Sequence, residues 1–322
     1  MRRPHGHLRP PAGKEKGPMN IDVPPDRPAR FRQTPWISKL ADGQPPGIVK
    51  IDLVGQLARP EAPDELINLA RTAAERMNLA GKNKAIFFLG RGKTGKTTTI
   101  RFLAEKWFQQ DTPMALLDAD RTNGVLRQYF DSVERPPSDD DGSVAAWMVD
   151  TVLEAIADQA NILIDLGGGD TTLAHLVQSV PSFVQEVERA GGAVVACCTL
   201  GSEQDDLMPM ARLDAMGLRP TATVLLFNLA ALSVPLNKTS FAAIQSHDFY
   251  KTLVETRGAA PIFVPVLKAA AAVENRRMTF EDARDGVIRP GISPISPFLR
   301  LAIRDWMLKM DKAFEPIRSW LE

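Results

Sequence analysis

One short stretch, residues 84–108, restricts the possible folds of this chain more than any other. An apolar run, KAIFFLG, leads into a glycine-rich loop of the pattern G-x-x-x-x-G-K-[ST] between Gly90 and Thr97. After the loop, apolar residues recur at helical spacing: Ile100, Leu103, Ala104, Trp107 and Phe108. Since short apolar runs are typical of buried parallel strands, the stretch predicts a strand, a loop and a helix in immediate succession.

A loop in this setting binds anions for two physical reasons. Its backbone N–H groups surround the ligand, and the positive end of the following helix dipole adds to them. We expect Lys96 to reach the terminal phosphates of a nucleotide and the Thr97 hydroxyl to hold Mg²⁺. The alternative is a glycine turn that binds nothing. The residues predicted to contact the nucleotide are Gly90, Arg91, Gly92, Lys93, Thr94, Gly95, Lys96, Thr97 and Thr98.

Apolar strand-like runs alternate with amphipathic helical stretches from Lys84 onward. The runs are KAIFFLG, PMALLDAD, NILIDLGGG, GAVVACCTL, TATVLLFNLA and PIFVPVL. This alternation predicts a doubly wound, mostly parallel α/β sheet with helices on both faces, as in P-loop NTPases. Before it, GIVKIDLVGQL predicts a short strand, and a helix is expected to begin near Asp64 and to stop at Gly81. A single domain over residues 48–322 accommodates all of these elements.

Residues 1–47 differ in composition from the rest of the chain. Residues 1–34 contain eight Arg or Lys and three acidic residues, a net charge of +5, interleaved with prolines. This composition predicts a disordered basic arm over residues 1–47. The arm is either a solvated tail without a partner or a segment that contacts nucleic acid or an acidic surface.

The composition indicates a cytoplasmic protein without a transmembrane segment. With 39 basic and 39 acidic residues the formal net charge is zero, so bulk electrostatics do not draw the whole chain to polyanions. No apolar run approaches the roughly eighteen residues of a membrane span, and the first residues lack the apolar centre of a signal peptide. Cys197 and Cys198 are adjacent in an apolar run, which indicates core packing in a reducing compartment.

Two acidic residues stand where strand-like runs end. Asp118 ends MALLD, and Asp165 ends NILID and precedes three glycines. Because ligands of open parallel sheets bind beyond the carboxyl ends of the strands, both acids are candidates for a phosphoryl-transfer site. Asp165 is predicted to hold Mg²⁺ together with Thr97, and Asp118 is predicted to act in hydrolysis. Alternatively, each carboxylate only caps the helix that follows it.

Four motifs in order along the chain resemble those of the ParA/MinD-type ATPases. GRGKTGKTT is similar to the deviant G-K-G-G-x-G-K-T-T loop of that family, and LLDAD is similar to its D-x-D motif. ILIDLGGG resembles its Walker B strand, and VLLFNLA resembles the later strand whose closing asparagine contacts adenine. The likeness covers about residues 84–285. It implies a protein that binds ATP and Mg²⁺, hydrolyses ATP and forms a homodimer on ATP binding.

The resemblance also implies roles for single residues. The family has a lysine at the position of Arg91, and that lysine crosses a dimer interface to the nucleotide of the partner. Arg91 is therefore expected to act in catalysis with Lys96 and Asp118, while Lys93 replaces one of the family's paired glycines. Alternatively, Arg91 and Lys93 are solvated cations that raise anion affinity. Asn228 is expected to contact adenine or, alternatively, to be a polar strand end, and the N-K-x-D pattern of GTPases does not follow it.

Proteins of this family commonly position or partition DNA, such as plasmids, or serve conjugative transfer. The resemblance thus implies a dimerisation switch whose partners are DNA, bound by the arm or the folded domain, or an adaptor protein. Two alternatives are an ATP-dependent metabolic ligase or kinase of the dethiobiotin synthetase type, and a nucleotide-gated binding protein with little turnover. The segment from Leu299 to Glu322 predicts a helix with one apolar face, which packs on the core, fits a partner's groove or binds a membrane.

Overall fold

Seven strands form one sheet in the computed structural model, which describes residues 64–121, 124–169, 171–232, 237 and 239–322. The strands lie in the order β3-β2-β4-β1-β5-β6-β7, and every neighbouring pair is parallel. The doubly wound α/β fold is therefore confirmed. The strands are β1 (Asn83–Leu89), β2 (Met114–Asp118), β3 (Val133–Glu134), β4 (Asn161–Asp165), β5 (Gly192–Leu200), β6 (Ala222–Asn228) and β7 (Ala260–Val264).

Twelve α-helices occur within the described ranges. The first ends at Arg76, before the stop expected at Gly81. The helices are α1 (Asp64–Arg76), α2 (Lys96–Gln109), α3 (Asp141–Ala157), α4 (Thr172–Ser179), α5 (Phe183–Arg189), α6 (Met208–Ala215), α7 (Ala242–Gln245), α8 (Asp248–Lys251), α9 (Ala270–Glu274), α10 (Phe280–Asp285), α11 (Pro297–Phe314) and α12 (Arg318–Leu321).

The six apolar runs of the sequence correspond to β1, β2 and β4 to β7, whereas β3 has no counterpart among them. This edge strand pairs only Val133 and Glu134 with β2, and two residues are too few to show a period. The acidic stretch 134–143 contributes Glu134 to β3, and its last three residues begin α3. The arm over residues 1–47 and the strand expected in GIVKIDLVGQL lie outside the described residues.

The sheet is covered on both faces, and its strands alternate between two cores. In β1, Phe87 packs into the first core, beneath α3 to α8. Ile86 and Phe88 pack into the second core, beneath α1, α2 and α9 to α12. Successive side chains of a strand point to opposite faces, so a strand buried on both sides is apolar throughout. Cys197 and Cys198 of β5 are both buried, and burial raises the pKa of the Cys198 thiol to about 12. Their predicted core packing is confirmed.

The long helix α11 packs on the second core. Ser296 caps its first turn and Pro297 occupies the first helical position, where the missing N–H costs nothing. Trp306 lies edge-on to Phe102 at 5.6 Å between ring centroids and 4.7 Å from Phe280. Ile303, Met310 and Phe314 on the same face are buried as well. The helix therefore packs on the core, and no helix within the described ranges has the length and apolar character that crossing a membrane requires.

The last residues of the chain form hydrogen bonds with β1, with α2 and with the residue that follows α1. The buried ammonium of Lys84 in β1 donates to the carbonyl of Glu322, and burial lowers the pKa of this lysine. Trp107 Nε1 donates to the Leu321 carbonyl at 2.6 Å, and Trp320 Nε1 donates to the Met77 carbonyl at 2.5 Å. Helix α12 thus closes the second core against α1, α2 and β1.

Candidate functional site

The glycine-rich loop from Gly90 to Thr97, called the phosphate loop below, lies at the carboxyl end of β1, in the middle of the sheet. Gly90 and Gly95 have positive φ angles of 135° and 92°. A Cβ on Gly90 would overlap the backbone oxygen and the hydroxyl of Thr199, so the close approach of β5 requires glycine there. Lys93 has a φ of 65°, which costs a non-glycine residue about 1–2 kcal/mol. The loop keeps a glycine-like path at Lys93, the position where the ParA/MinD loop has glycine.

Lys96 closes the loop on itself. Its Nζ donates to the carbonyls of Gly90 and Arg91, both at 3.0 Å, and the ammonium is buried. Burial lowers the pKa of Lys96, and the nearby Asp165 carboxylate opposes that effect. The Thr94 hydroxyl also donates to the Arg91 carbonyl, at 2.7 Å. Two donors therefore hold the Arg91 carbonyl in place.

Two neighbouring strands brace the loop. Thr199 of β5 donates from its hydroxyl to the Leu89 carbonyl at 2.9 Å, and its Oγ1 lies 2.7 Å from Thr94 Oγ1. Asn228 of β6 donates from Nδ2 to the Thr94 carbonyl at 2.8 Å, and its Oδ1 accepts from the Ala230 N–H at 2.9 Å. Both polar atoms of the Asn228 amide are thus bonded within the protein, and its contact with adenine stays a prediction.

The loop amides contrast with these bonded carbonyls. Within the described part of the chain, no backbone acceptor is found for seven consecutive N–H groups, those of residues 92–98. Backbone N–H groups strongly favour a partner, and a run of them at the N-terminus of α2 forms a ready anion site. The loop is thus built with its carbonyls tied back and its amides free to bind an anion.

Thr97 and Asp165 lie together at the start of α2 and the end of β4. The Thr97 hydroxyl donates to Asp165 Oδ2 at 2.9 Å. Burial raises the pKa of Asp165 to about 7, an effect that Thr97 and Lys96 oppose and that Asp118 and Asp120 reinforce. A hydroxyl beside a carboxylate is a donor set that Mg²⁺ accepts when phosphate and water oxygens complete its shell. Among the described residues no group of three or more His, Cys, Asp or Glu could hold a metal by itself.

Asp118 lies beside Asp165 in the sheet, because the two are paired residues of β2 and β4. Its carboxyl is fully buried, and burial raises its pKa. Oδ2 accepts at 3.3 Å from the N–H of Leu126, the first residue of a short 3₁₀ turn (Leu126–Gln128). Its Oδ1 finds no partner among the described residues. An unpaired buried oxygen is costly unless a bound group satisfies it, which supports a role beyond capping.

The glycines after β4 pack on the phosphate loop. A Cβ on Gly168 would overlap the Gly92 nitrogen and would lie 2.9 Å from Gly92 Cα and 3.1 Å from the Arg91 carbonyl carbon. A Cβ on Gly167 would lie 3.2 Å from Asp120 Oδ1. We call residues 166–169 the glycine loop. It joins the end of β4 to the phosphate loop and to the residues that follow β2.

The two cations of the loop differ in their surroundings. Arg91 Nη1 lies 3.4 Å from Asp206 Oδ1, while the arginine side chain is 50% exposed and the aspartate is buried. Asp206 also accepts from the Gly201 N–H at 2.9 Å and the Glu203 N–H at 3.2 Å. Arg91 is thus paired within its own chain, whereas the Lys93 side chain is exposed. Whether Arg91 crosses to a second chain stays a prediction.

Thr199 and Asp206 are the site residues that the sequence does not predict. Thr199 stands one residue before the end of β5, so the rule that selected Asp118 and Asp165, a polar residue ending an apolar run, passes over it. Asp206 lies in GSEQDD, where three acids occur close together and nothing distinguishes the one that is buried. Only the fold brings it to Arg91.

The buried Asp165 carboxyl predicts how stability depends on pH when Mg²⁺ is absent. Its pKa in the folded protein is about 7, and an aspartate of the unfolded chain titrates near 3.8. Between these values the folded state keeps a proton that the unfolded state has released. This contribution to stability is therefore complete below about pH 4 and is lost as pH rises through about 7.

Asp165→Asn removes that titration. In urea unfolding with EDTA, the free energy of unfolding of the variant should rise relative to wild type by up to about 1.4 kcal/mol per pH unit between about pH 4 and 7. Asp150→Asn, which removes one carboxylate from an exposed position, is the control, and its difference from wild type should stay constant. A constant difference for Asp165→Asn too would contradict the predicted shift.

No family model and no curated protein matches the chain. Among solved structures, it is similar to the signal recognition particle receptor FtsY from Elizabethkingia anophelis in complex with GDP (18% identity, TM-score 0.36, 58% of this chain and 61% of that one). Chloroplast FtsY from Physcomitrella patens is similar at 17% identity and a TM-score of 0.39, over 62% and 66% of the two chains. A chain of the MinC:MinD cell division protein complex from Aquifex aeolicus is similar at 12% identity and a TM-score of 0.41, over 71% and 96%.

The chain spans less than two thirds of the length of both FtsY structures. The glycine-rich loop, the helix α2 that follows it and the all-parallel sheet together give the chain the fold of a P-loop NTPase.

Proposed function

We propose that the chain is a Mg²⁺-dependent ATP-binding and ATP-hydrolysing switch of the ParA/MinD type, which dimerises when ATP is bound. The observation that carries this proposal is the phosphate loop. Its carbonyls are tied back by Lys96, Thr94, Thr199 and Asn228, and the N–H groups of residues 92–98 have no backbone acceptor within the described ranges. Such a loop is already in the conformation that binds a polyphosphate, so binding requires little rearrangement.

The residues around the loop divide the chemistry among them. Lys96 neutralises the terminal phosphates by turning from the loop carbonyls to the ligand. Thr97 and Asp165 hold the metal, and Mg²⁺ when bound supplies positive charge to the phosphate oxygens and the buried carboxylates. Asp118, whose Oδ1 has no hydrogen-bond partner among the described residues, orients the water that attacks. Each step depends on positioning and charge and needs no covalent intermediate.

Arg91 adds a contribution that exists only in the dimer. Arg91 is half exposed and pairs with Asp206 at 3.4 Å, so it can exchange that partner for phosphate oxygens of a second chain. The planar guanidinium suits phosphate oxygens. Adenine is proposed over guanine because Leu229 follows Asn228 where GTPases continue with lysine. The proposed setting is cytoplasmic DNA partitioning, positioning or conjugative transfer, with DNA or an adaptor protein as partner.

Titration calorimetry with Mg-ATP and Mg-GTP tests the nucleotide site. Lys96→Ala is expected to abolish measurable Mg-ATP binding, because it removes the charge opposite the terminal phosphates. Lys82→Ala, an exposed lysine just before β1, is the matched control and should bind as wild type does. Equal ATP affinity for Lys96→Ala and wild type would refute the site, and tighter binding of GTP would refute the choice of base.

Light scattering with a slowly hydrolysed ATP analogue tests the switch. Wild type should change from monomer to dimer, while Arg91→Ala should bind the analogue as a monomer and hydrolyse ATP poorly. Arg91→Lys should still dimerise, because lysine occupies this position in the ParA/MinD loop. Normal dimerisation and turnover by Arg91→Ala would show that the cation only attracts anions. ATP binding without turnover by wild type would instead identify a nucleotide-gated binding protein.

A further inference from the structure

The acidic stretch before α3 has three neighbouring aspartates with three different roles. Asp140 caps the helix, since its Oδ2 accepts from the Ser143 N–H at 2.8 Å and from the Ser143 hydroxyl at 2.9 Å. Asp139 contributes its carbonyl oxygen, which accepts from Arg121 Nη1 at 2.5 Å. Asp141, the first residue of α3, instead directs its carboxylate to side chains of other segments.

Both oxygens of the Asp141 carboxylate are bonded. Oδ1 accepts from Arg121 Nη2 at 2.5 Å, and Oδ2 accepts from the Thr171 hydroxyl at 2.5 Å. His175 Nε2 lies 3.6 Å from Oδ2. Donation by Thr171 and by Arg121 holds the pKa of Asp141 below its ordinary value, so the group remains a carboxylate. The Asp141 side chain thus connects α3 to two segments that are distant in sequence, those of Arg121 and Thr171.

Thr171 shows that this contact replaces a local one. It occupies the N-cap position of α4, where a threonine hydroxyl normally accepts from an N–H of the first turn. Here the side chain makes no such bond. Its hydroxyl donates to Asp141 instead. The local arrangement therefore forgoes a capping bond in favour of the contact with α3.

The two segments held by Asp141 both come from the nucleotide site. Arg121 follows Asp118, the last residue of β2, after only Ala119 and Asp120. Thr171 closely follows the glycine loop, in which Gly168 packs on the phosphate loop and Gly167 packs beside Asp120. A displacement of either segment therefore stretches a bond to the same carboxylate.

We propose that Asp141 is a positioning residue of the nucleotide site, which fixes the segment after β2 and the glycine loop relative to one another through Arg121 and Thr171. The inference rests on the proposed function for its effect on turnover, since Asp118 and the glycine loop must be aligned for hydrolysis. It also accounts for an acidic stretch that the phosphate-binding motifs leave unexplained. Asp141 touches no nucleotide and acts only through the two segments.

Three variants separate this role from general effects of charge. Asp141→Ala removes both bonds, Asp141→Asn keeps an oxygen for Arg121 but presents an NH₂ group to Thr171, and Asp139→Ala removes a neighbouring carboxylate while its backbone carbonyl remains. The ATPase kcat of Asp141→Ala should fall about tenfold or more with little change in KM, because misalignment affects the reacting geometry and not ground-state binding. Asp141→Asn should be intermediate, and Asp139→Ala should behave as wild type.

Hydrogen exchange without nucleotide gives a readout independent of turnover. Amides of residues 118–121 and 166–169 should exchange faster in Asp141→Ala than in Asp139→Ala, while those of β5 are unchanged. Should wild type hydrolyse no ATP, the proposed function fails and the exchange rates alone decide the inference. Equal exchange in the two variants, or equal kcat where turnover is measurable, would overturn the role of Asp141.

Discussion

Replacing Gly168 by alanine is expected to weaken nucleotide binding by up to about 100-fold, since overpacking a close contact costs about 1–3 kcal/mol and each 1.4 kcal/mol is about tenfold in affinity. The added methyl group would overlap the backbone of Gly92 and crowd the Arg91 carbonyl carbon at 3.1 Å. Backbone atoms cannot rotate away as a side chain can, so either the glycine loop or the phosphate loop must move. Calorimetric titration with Mg-ATP measures the loss, and circular dichroism checks that the variant is folded.

Gly169 provides the matched control for this prediction. It lies next to Gly168 in the same loop, and a Cβ built on it meets no atom of the described residues within 4 Å. Gly169→Ala therefore imposes the same loss of backbone freedom without the overlap, and it should bind Mg-ATP as wild type does. If both variants bind equally well, the contact between the glycine loop and the phosphate loop has no role in binding.

Trp320→Ala is expected to destabilise the folded protein by about 3–5 kcal/mol, the usual range for truncating a buried aromatic side chain. The indole is 1% exposed and packs in the second core, and its N–H donates to the Met77 carbonyl at the end of α1. The variant leaves a cavity and takes a donor from that carbonyl. Urea unfolding followed by circular dichroism measures the change as a lower transition midpoint.

Phe298→Ala is the control for that measurement. Phe298 is the second residue of α11 and is 73% exposed, so its truncation should change the free energy of unfolding by less than about 0.5 kcal/mol. Equal effects of the two substitutions would contradict the assignment of α12 to the core. For Trp320→Ala, a smaller slope of the free energy of unfolding against urea concentration, without a change in the midpoint, would indicate an altered unfolded state instead.

The features that can be predicted from the sequence are those formed by residues close together in the chain. Six strands are long enough to show an apolar run, and the phosphate loop is one continuous motif, so both are predicted. β3 has two residues and no period of its own, and it exists because β2 offers it a partner. The packing of α11 also follows from a local pattern, its apolar face.

Contacts between residues that are far apart in the sequence could not be predicted in this way. Arg91 and Asp206 are 115 positions apart, and the Asn228 amide meets a carbonyl 134 positions away. Nothing near Asn228 in sequence indicates that it braces the loop, because its partner is a backbone atom that any residue would supply. The left-handed conformation of Lys93 is likewise set by the loop around it, since lysine itself favours other conformations.

The arrangement of the sheet has a consequence for the synthesis of this protein. The central strand β1 emerges from the ribosome early, yet its neighbours β4 and β5 begin only at Asn161 and Gly192. The aromatic face around Phe102 stays uncovered until α11, which carries Trp306 and Phe314, has been made. Parallel pairing over such separations is slow, and a growing chain with an unpaired strand and an open apolar face is prone to aggregate. We therefore expect the nascent chain to depend on chaperones until its C-terminal helices are available.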